Sequence, residues 1–131
     1  MKANISVGEF LDKMMILEIK SERIQDPEKL ANVKKEHELL SQTWDGSPLS
    51  KQDISDELDA LKKVNETLWD IEDRIRRKEA EQAFDDEFVR LARSVYQVND
   101  ERAAIKRRLN VRLGSDLVEE KSYADYRRPE T

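Results

Sequence analysis

A chain of 131 residues, 40% charged and 37% hydrophobic, is long enough for one domain but lacks the apolar side chains for a thick core. With only three Gly and three Pro beside this much charge, the composition is that of long helices or coiled coils. The net charge of -5 speaks against nucleic acid as the main partner, and the lack of cysteine excludes disulfides and thiolate chemistry.

The amino terminus, MKANISVGEF, lacks the apolar core of a signal peptide. The longest apolar run, MMIL at 14–17, falls far short of the roughly 20 residues that span a bilayer. A cytoplasmic protein without membrane insertion is expected. Ser6 followed by Glu9 predicts a capping box at the start of a first helix, with Ile5 stapled onto Phe10, running to about Gln25. Asp26-Pro27 supplies a cap and a first-turn proline for a second helix, which carries Leu30, Val33, His37 and Leu40 on one stripe and ends near Trp44. Asp45-Gly46-Ser47-Pro48 is the strongest loop signal in the chain.

Ser50 and Asp53 are read as the next cap, after which no Gly or Pro occurs until Gly114. Large apolar residues vanish between Arg76 and Ala83, and Asp85 then offers a cap with Phe84 placed to staple onto Val89. The pattern predicts two long antiparallel helices over 51–80 and 85–113, each about 45 Å long at 1.5 Å per residue. Gly114 is the natural stop. Residues 1–114 are read as a single helical domain and 115–131 as a polar tail able to dock through Leu117, Tyr123 and Tyr126. The expected fold is all-α: an elongated helical bundle with two short helices followed by a long antiparallel helical hairpin. Helices this long with so few apolar residues per turn call for a self-complementary dimer to cover them.

Polar residues interrupt the core stripe of the last helix. From Phe88 the heptad positions are Leu91, Val95, Val98, Arg102, Ile105 and Leu109, so an arginine occupies a core position, flanked by Asn99 and Lys106. The preceding helix carries Asn65 and Glu72 beside its apolar stripe. Hairpin register sets Asn65 level with Asn99, in one layer with Arg102, and places Glu72 roughly 13 Å along the helix from Arg102. A buried guanidinium needs a counterion, and Glu18, which interrupts the face formed by Leu11, Met14 and Met15, is the expected partner, within one chain or across a dimer. Two readings stand side by side. Polar residues at core positions set register and oligomeric state; or Glu18, Asn65, Glu72, Asn99, Arg102 and Lys106 line a cleft for an anionic ligand, which the planar fork of arginine suits.

Other chemistry is weaker. His37 sits on an apolar stripe with no Ser or Asp spacing that suggests a triad. Glu66, Asp70 and Asp73 share a helical spacing that resembles, in type only, the Mg²⁺-holding helices of all-helical nucleotide pyrophosphatases; a solvated acidic face accounts for them equally. There is no Gly-rich phosphate loop, and no metal or cofactor is expected. Five basic residues and no acidic one between Arg102 and Arg112 suit the negative end of a helix dipole.

The blocks SVGEFLDKMMILEIKSERI, KLANV, VNETLWDIEDRIR, FDDEFVRLARSVYQVNDERAAIKRRLN and EEKSYADY together resemble a family of short, functionally uncharacterised bacterial and phage proteins over nearly the whole chain. The resemblance carries no assigned activity. It implies a gene neighbourhood of glycosyltransferases and surface-polysaccharide enzymes, and it marks Glu18, Asn65, Glu72, Asp73, Asn99, Arg102, Lys106 and Asn110 as the polar positions of the family pattern. A weaker likeness is to the small all-helical chorismate mutases, which bind a dicarboxylate with arginines, a lysine and a glutamate; Glu72, Arg102 and Lys106 are of suitable type, but those enzymes begin with their longest helix. Two functions are expected to compete. One is a homo-oligomeric interaction or accessory protein serving a protein partner in cell-surface polysaccharide synthesis. The other is a small-molecule enzyme or binder holding a sugar phosphate, nucleotide sugar or dicarboxylate on the Arg/Lys/Glu cluster. An open cleft beside Arg102 would favour the second, a sealed one the first.

Overall fold

Ser6 holds an extended backbone and its hydroxyl accepts the Glu9 amide at 3.1 Å, which starts helix α1, Val7–Arg23, in the computed structural model. Residues 4–116 are described, and they are all-helical, with no strand among them. Ile5, expected to staple the cap, is instead 47% exposed. Asp26 accepts the amides of Glu28 and Lys29 at 3.0 and 3.3 Å, and with Pro27 in the first turn it begins α2, Pro27–Asp45. A short 3-10 turn, Pro48–Lys51, capped by Ser47, leads to α3, Ser55–Ala80, and α4 spans Asp86–Arg112.

The third helix starts later than expected because Ser50 is spent on the 3-10 turn, where its hydroxyl donates to the Ser47 carbonyl at 2.7 Å. Asp53 acts one step further on, accepting the Ser55 amide at 3.1 Å and the Ser55 hydroxyl at 2.6 Å. Asp85 caps α4 as expected, through the Phe88 amide at 2.9 Å. Phe84 does not staple onto Val89; it stands edge-on to Phe88 with ring centroids 5.2 Å apart, and both Phe84 and Val89 stay exposed.

The helix ends are closed by similar devices. At the end of α4, Ser115 donates its amide to the Asn110 carbonyl at 2.8 Å and Gly114 turns with φ +64°, a conformation that glycine adopts without steric cost. The Ser115 hydroxyl then accepts the Val7 amide at 3.2 Å, joining the end of α4 to the start of α1. At the end of α3 the left-handed position falls to Gln82, φ 55°. The tail expected to dock through Leu117, Tyr123 and Tyr126 lies outside the described residues.

The first helix is the centre of the molecule. α2 packs on one side of it, and α3 and α4 on others. It therefore buries residues around most of its circumference: Gly8, Leu11, Asp12, Met14, Met15, Leu17 and Ile19. Leu11, Met14 and Met15 join Ile54, Leu61, Val64, Ile105, Leu109 and Leu113 in one core cluster. Full burial of such a side chain contributes about 1.5–3 kcal/mol. α2 has no buried residue, since it touches only α1 and the 3-10 turn.

Ion pairs mark how α3 and α4 lie along each other. Late in α3, Arg74 reaches Glu87 at 2.6 Å, and Lys78 reaches Asp85 and Glu87 at 2.7 and 3.1 Å; early in α3, Glu57 meets Arg112. Lys78 beside them holds the Asp85 and Glu87 carboxyls below their ordinary range. Their contribution is thus complete above an unfolded value near 4.5 for Glu87 and 3.8 for Asp85, and it is lost as pH falls through the lower folded values. Thermal melts of the wild type and Lys78→Ala are expected to differ at pH 6 and converge as pH is lowered through about 4 toward 2. A gap that persists unchanged at the acid end would contradict this.

Candidate functional site

Arg102 occupies the core-type position expected of it, but its counterion is Asp12. The Arg102 Nε donates to both Asp12 oxygens at 3.1 Å, and Nη2 donates to Asp12 Oδ2 as well. Asn65 Nδ2 donates to Asp12 Oδ1 at 2.7 Å and to the Leu61 carbonyl at 3.0 Å. Asp12 is 0% exposed and Asn65 is buried, whereas the Arg102 side chain keeps 27% of its surface exposed. Three helices thus converge on one carboxylate. A buried carboxylate is tolerable only when donors surround it, and here a planar guanidinium edge and an amide do so.

The expected Glu18 to Arg102 contact is not made. Glu18 faces α3, where Lys62 Nζ lies 3.3 Å from its carboxylate and 2.6 Å from that of Glu22. Those two carboxylates, Glu22 foremost, hold the Lys62 ammonium above its ordinary range. Lys106 also leaves the cluster, donating to Glu9. Beside it Gly8 donates its amide to Asn110 Oδ1 at 2.6 Å. A Cβ on Gly8 would lie 2.6 Å from the Lys106 carbonyl oxygen, so glycine is what lets α1 approach α4 here.

Beyond Asp12 a cleft of about 560 Å³ opens, lined on α1 by Ile16 and Ile19 and on α4 by Val95, Asn99 and Arg102. Asn65, Leu68, Trp69, Glu72, Asp73 and Arg76 supply its α3 wall. Four of the six expected site residues, Asn65, Glu72, Asn99 and Arg102, therefore share one cleft. Asn99 is exposed rather than packed in the Arg102 layer. Glu72 pairs with Arg76 at 3.3 Å on the open side. Glu66 and Asp70, considered above as metal ligands, both face Arg23, at 3.7 and 2.6 Å, and Arg23 also lies over the Trp69 ring at 5.6 Å. Among the described residues no group of three or more acidic or histidine side chains is arranged to hold a metal ion.

Asp12 is the residue that periodicity missed. Its signal was present: Asp12, Ile16, Ile19 and Arg23 form one row of α1, so Asp12 interrupts an apolar row as Glu18 interrupts another. Choosing between the two rows required knowing which one α4 covers, and Gly8, one turn before Asp12, marks that face.

No helix among the described residues is long and apolar enough to cross a membrane. No curated protein and no solved structure matches the chain. The model of one family, described as a family of unknown function (DUF6165), matches residues 1–129, and the chain belongs to that family.

Proposed function

We propose that this protein is a helical interaction or accessory protein that acts as a homodimer, in the setting of surface-polysaccharide synthesis that the family resemblance implies. The observation that carries this reading is the Asp12 to Arg102 pair. An arginine whose Nε and Nη2 edge already embraces a fully buried carboxylate of its own chain needs no bound anion to balance it. The polar layer is then a device that sets the register of α1 against α3 and α4, the role that isolated polar residues play in helical bundles. On this reading 1–114 forms one bundle, with α3 and α4 as its long antiparallel hairpin, and recognition is a property of the uncovered face beside the cleft.

A second reading keeps one specific observation, the one expected to favour a ligand site: the cleft beside Arg102 is open. Asn65, Glu72, Asn99 and Arg102 line one open cleft with an apolar floor, the usual build of a small-molecule site. A thermal-shift series with nucleotide sugars, sugar phosphates and dicarboxylates separates the two. The interaction reading expects no compound to raise the melting temperature. A ligand at about 100 times its dissociation constant stabilises by about 2.7 kcal/mol, so a binder would be evident. A shift that disappears in Asn99→Ala would transfer the assignment to the second reading.

A further inference from the structure

The dimer reading above leaves open which surface two copies share, and α3 carries an unusual charge order along its uncovered face. Along its exposed middle Glu72 and Asp73 precede Arg76 and Arg77, while Asp70, Arg74 and Lys78 in the same stretch are engaged within the chain by Arg23, Glu87 and the Asp85 and Glu87 carboxylates. Glu72, Asp73 and Arg76 face the cleft, with Trp69 a turn earlier. Asp73 and Arg77 are exposed, and neither makes an ion pair among the described residues. Arg76 has 81% of its side chain exposed, with Glu72 beside it at 3.3 Å. Such an order is self-complementary only when two helices lie antiparallel.

We propose that two copies of this chain pack α3 against α3 about a two-fold axis between Arg74 and Ile75, each inserting the tip around Phe84 toward the cleft of the other. In this register Asp73 faces Arg76 of the second copy, with Glu72 and Arg77 on the two flanks of the same face. By symmetry the pair occurs twice, as an isologous interface requires. Trp69 then lies level with Ala80 of the second copy, the last residue of its α3. Phe84 is 55% exposed in the single chain, with the Phe88 ring edge-on against it. Phe84 lies beyond the Ala80 end of α3, in the turn to α4, and in the proposed dimer this turn is directed toward the apolar residues Ile16, Ile19, Leu68 and Val95 of the second copy's cleft. Charge order selects the partner as a second copy and selects the antiparallel orientation. The aromatic tip supplies the apolar contact at each end.

Sedimentation equilibrium of the full chain, with far-UV circular dichroism to verify folding, tests this. The wild type is expected to be dimeric at micromolar concentration. Asp73→Arg sets arginine against arginine twice and is expected to weaken the dimer by roughly tenfold or more, while Asp73→Arg/Arg76→Asp restores it. Because the chain has no cysteine, Arg76→Cys can also be linked between copies by a short bismaleimide, whereas Lys35→Cys on α2 is expected to stay unlinked. A dimeric wild type whose dissociation constant ignores Asp73→Arg would overturn this interface and leave the dimer reading standing. A monomeric wild type at 100 µM, whatever else fills the cleft, would overturn both.

Discussion

Replacing Arg102 with leucine is expected to cost about 3–5 kcal/mol of folding free energy, more than any other substitution around the cleft. The size comes from what is left behind. Asp12 is 0% exposed, so without the guanidinium its buried charge keeps a single side-chain donor in this cluster, the Asn65 amide. The reverse change is milder. In Asp12→Asn the orphaned group is Arg102, whose side chain is 27% exposed and can turn toward solvent in the open cleft, so a loss of about 1–3 kcal/mol is expected. Asp12→Leu/Arg102→Met removes both charges and should regain most of the Arg102→Leu loss, because paired buried charges replaced by apolar groups are often neutral in stability. Urea unfolding of the four proteins reads the order directly. Equal costs for the two single variants would mean that Asp12 is not sealed, and a cost below about 1 kcal/mol for Arg102→Leu would mean that the pair does not organise the bundle.

Gly8→Ala is expected to destabilise by about 2–4 kcal/mol, against the sign that helix propensity gives. Alanine in place of glycine inside a helix ordinarily stabilises by about 0.5–1 kcal/mol. Here the new methyl would stand 2.6 Å from the Lys106 carbonyl oxygen and 3.0 Å from Asn110 Oδ1. The carbonyl belongs to the α4 backbone and cannot swing away, so α1 must lift off α4, with a penalty of about 1–3 kcal/mol for overpacking. Lifting also stretches the Gly8 to Asn110 hydrogen bond, whose buried acceptor then goes unmet. Thermal or urea melts check the sign, and a more stable Gly8→Ala protein would show that α1 and α4 are not in the close contact described. The Asn110→Ala variant should lose the same hydrogen bond without the clash and fall between the two.

Much of the architecture was legible in the chain because its signals are local. The Ser6, Asp26 and Asp85 caps, the proline in the first turn of α2 and the Gly114 stop each act within a few residues, and each appears where the pattern placed it. The start of α3 was misplaced by about four residues because Ser50 and Asp53 had two turns to choose between, and the 3-10 turn took the first of them. Arg102 was recognisable as a core interruption because its heptad neighbours are apolar on both sides. Its partner was not, since Glu18 and Asp12 interrupt different rows of the same helix and both rows are apolar.

Legible in the chain were four α-helices, the caps at Ser6, Asp26 and Asp85, the stop at Gly114, the need of Arg102 for a counterion, and the membership of Asn65 in its layer. These follow from backbone hydrogen bonds, caps and the spacing of apolar residues, which operate over one or two turns. Not legible there were the central place of α1, the turn of Asp12 rather than Glu18 toward α4, and the pairing of Glu18 and Lys106 away from the cleft. The reason is physical: a helix surrounded by three others buries several rows at once, and which row meets which neighbour depends on crossing geometry that no local spacing encodes. The glycine that permits the close crossing carries no side chain, and its role appears only once the carbonyl of Lys106 is seen beside it.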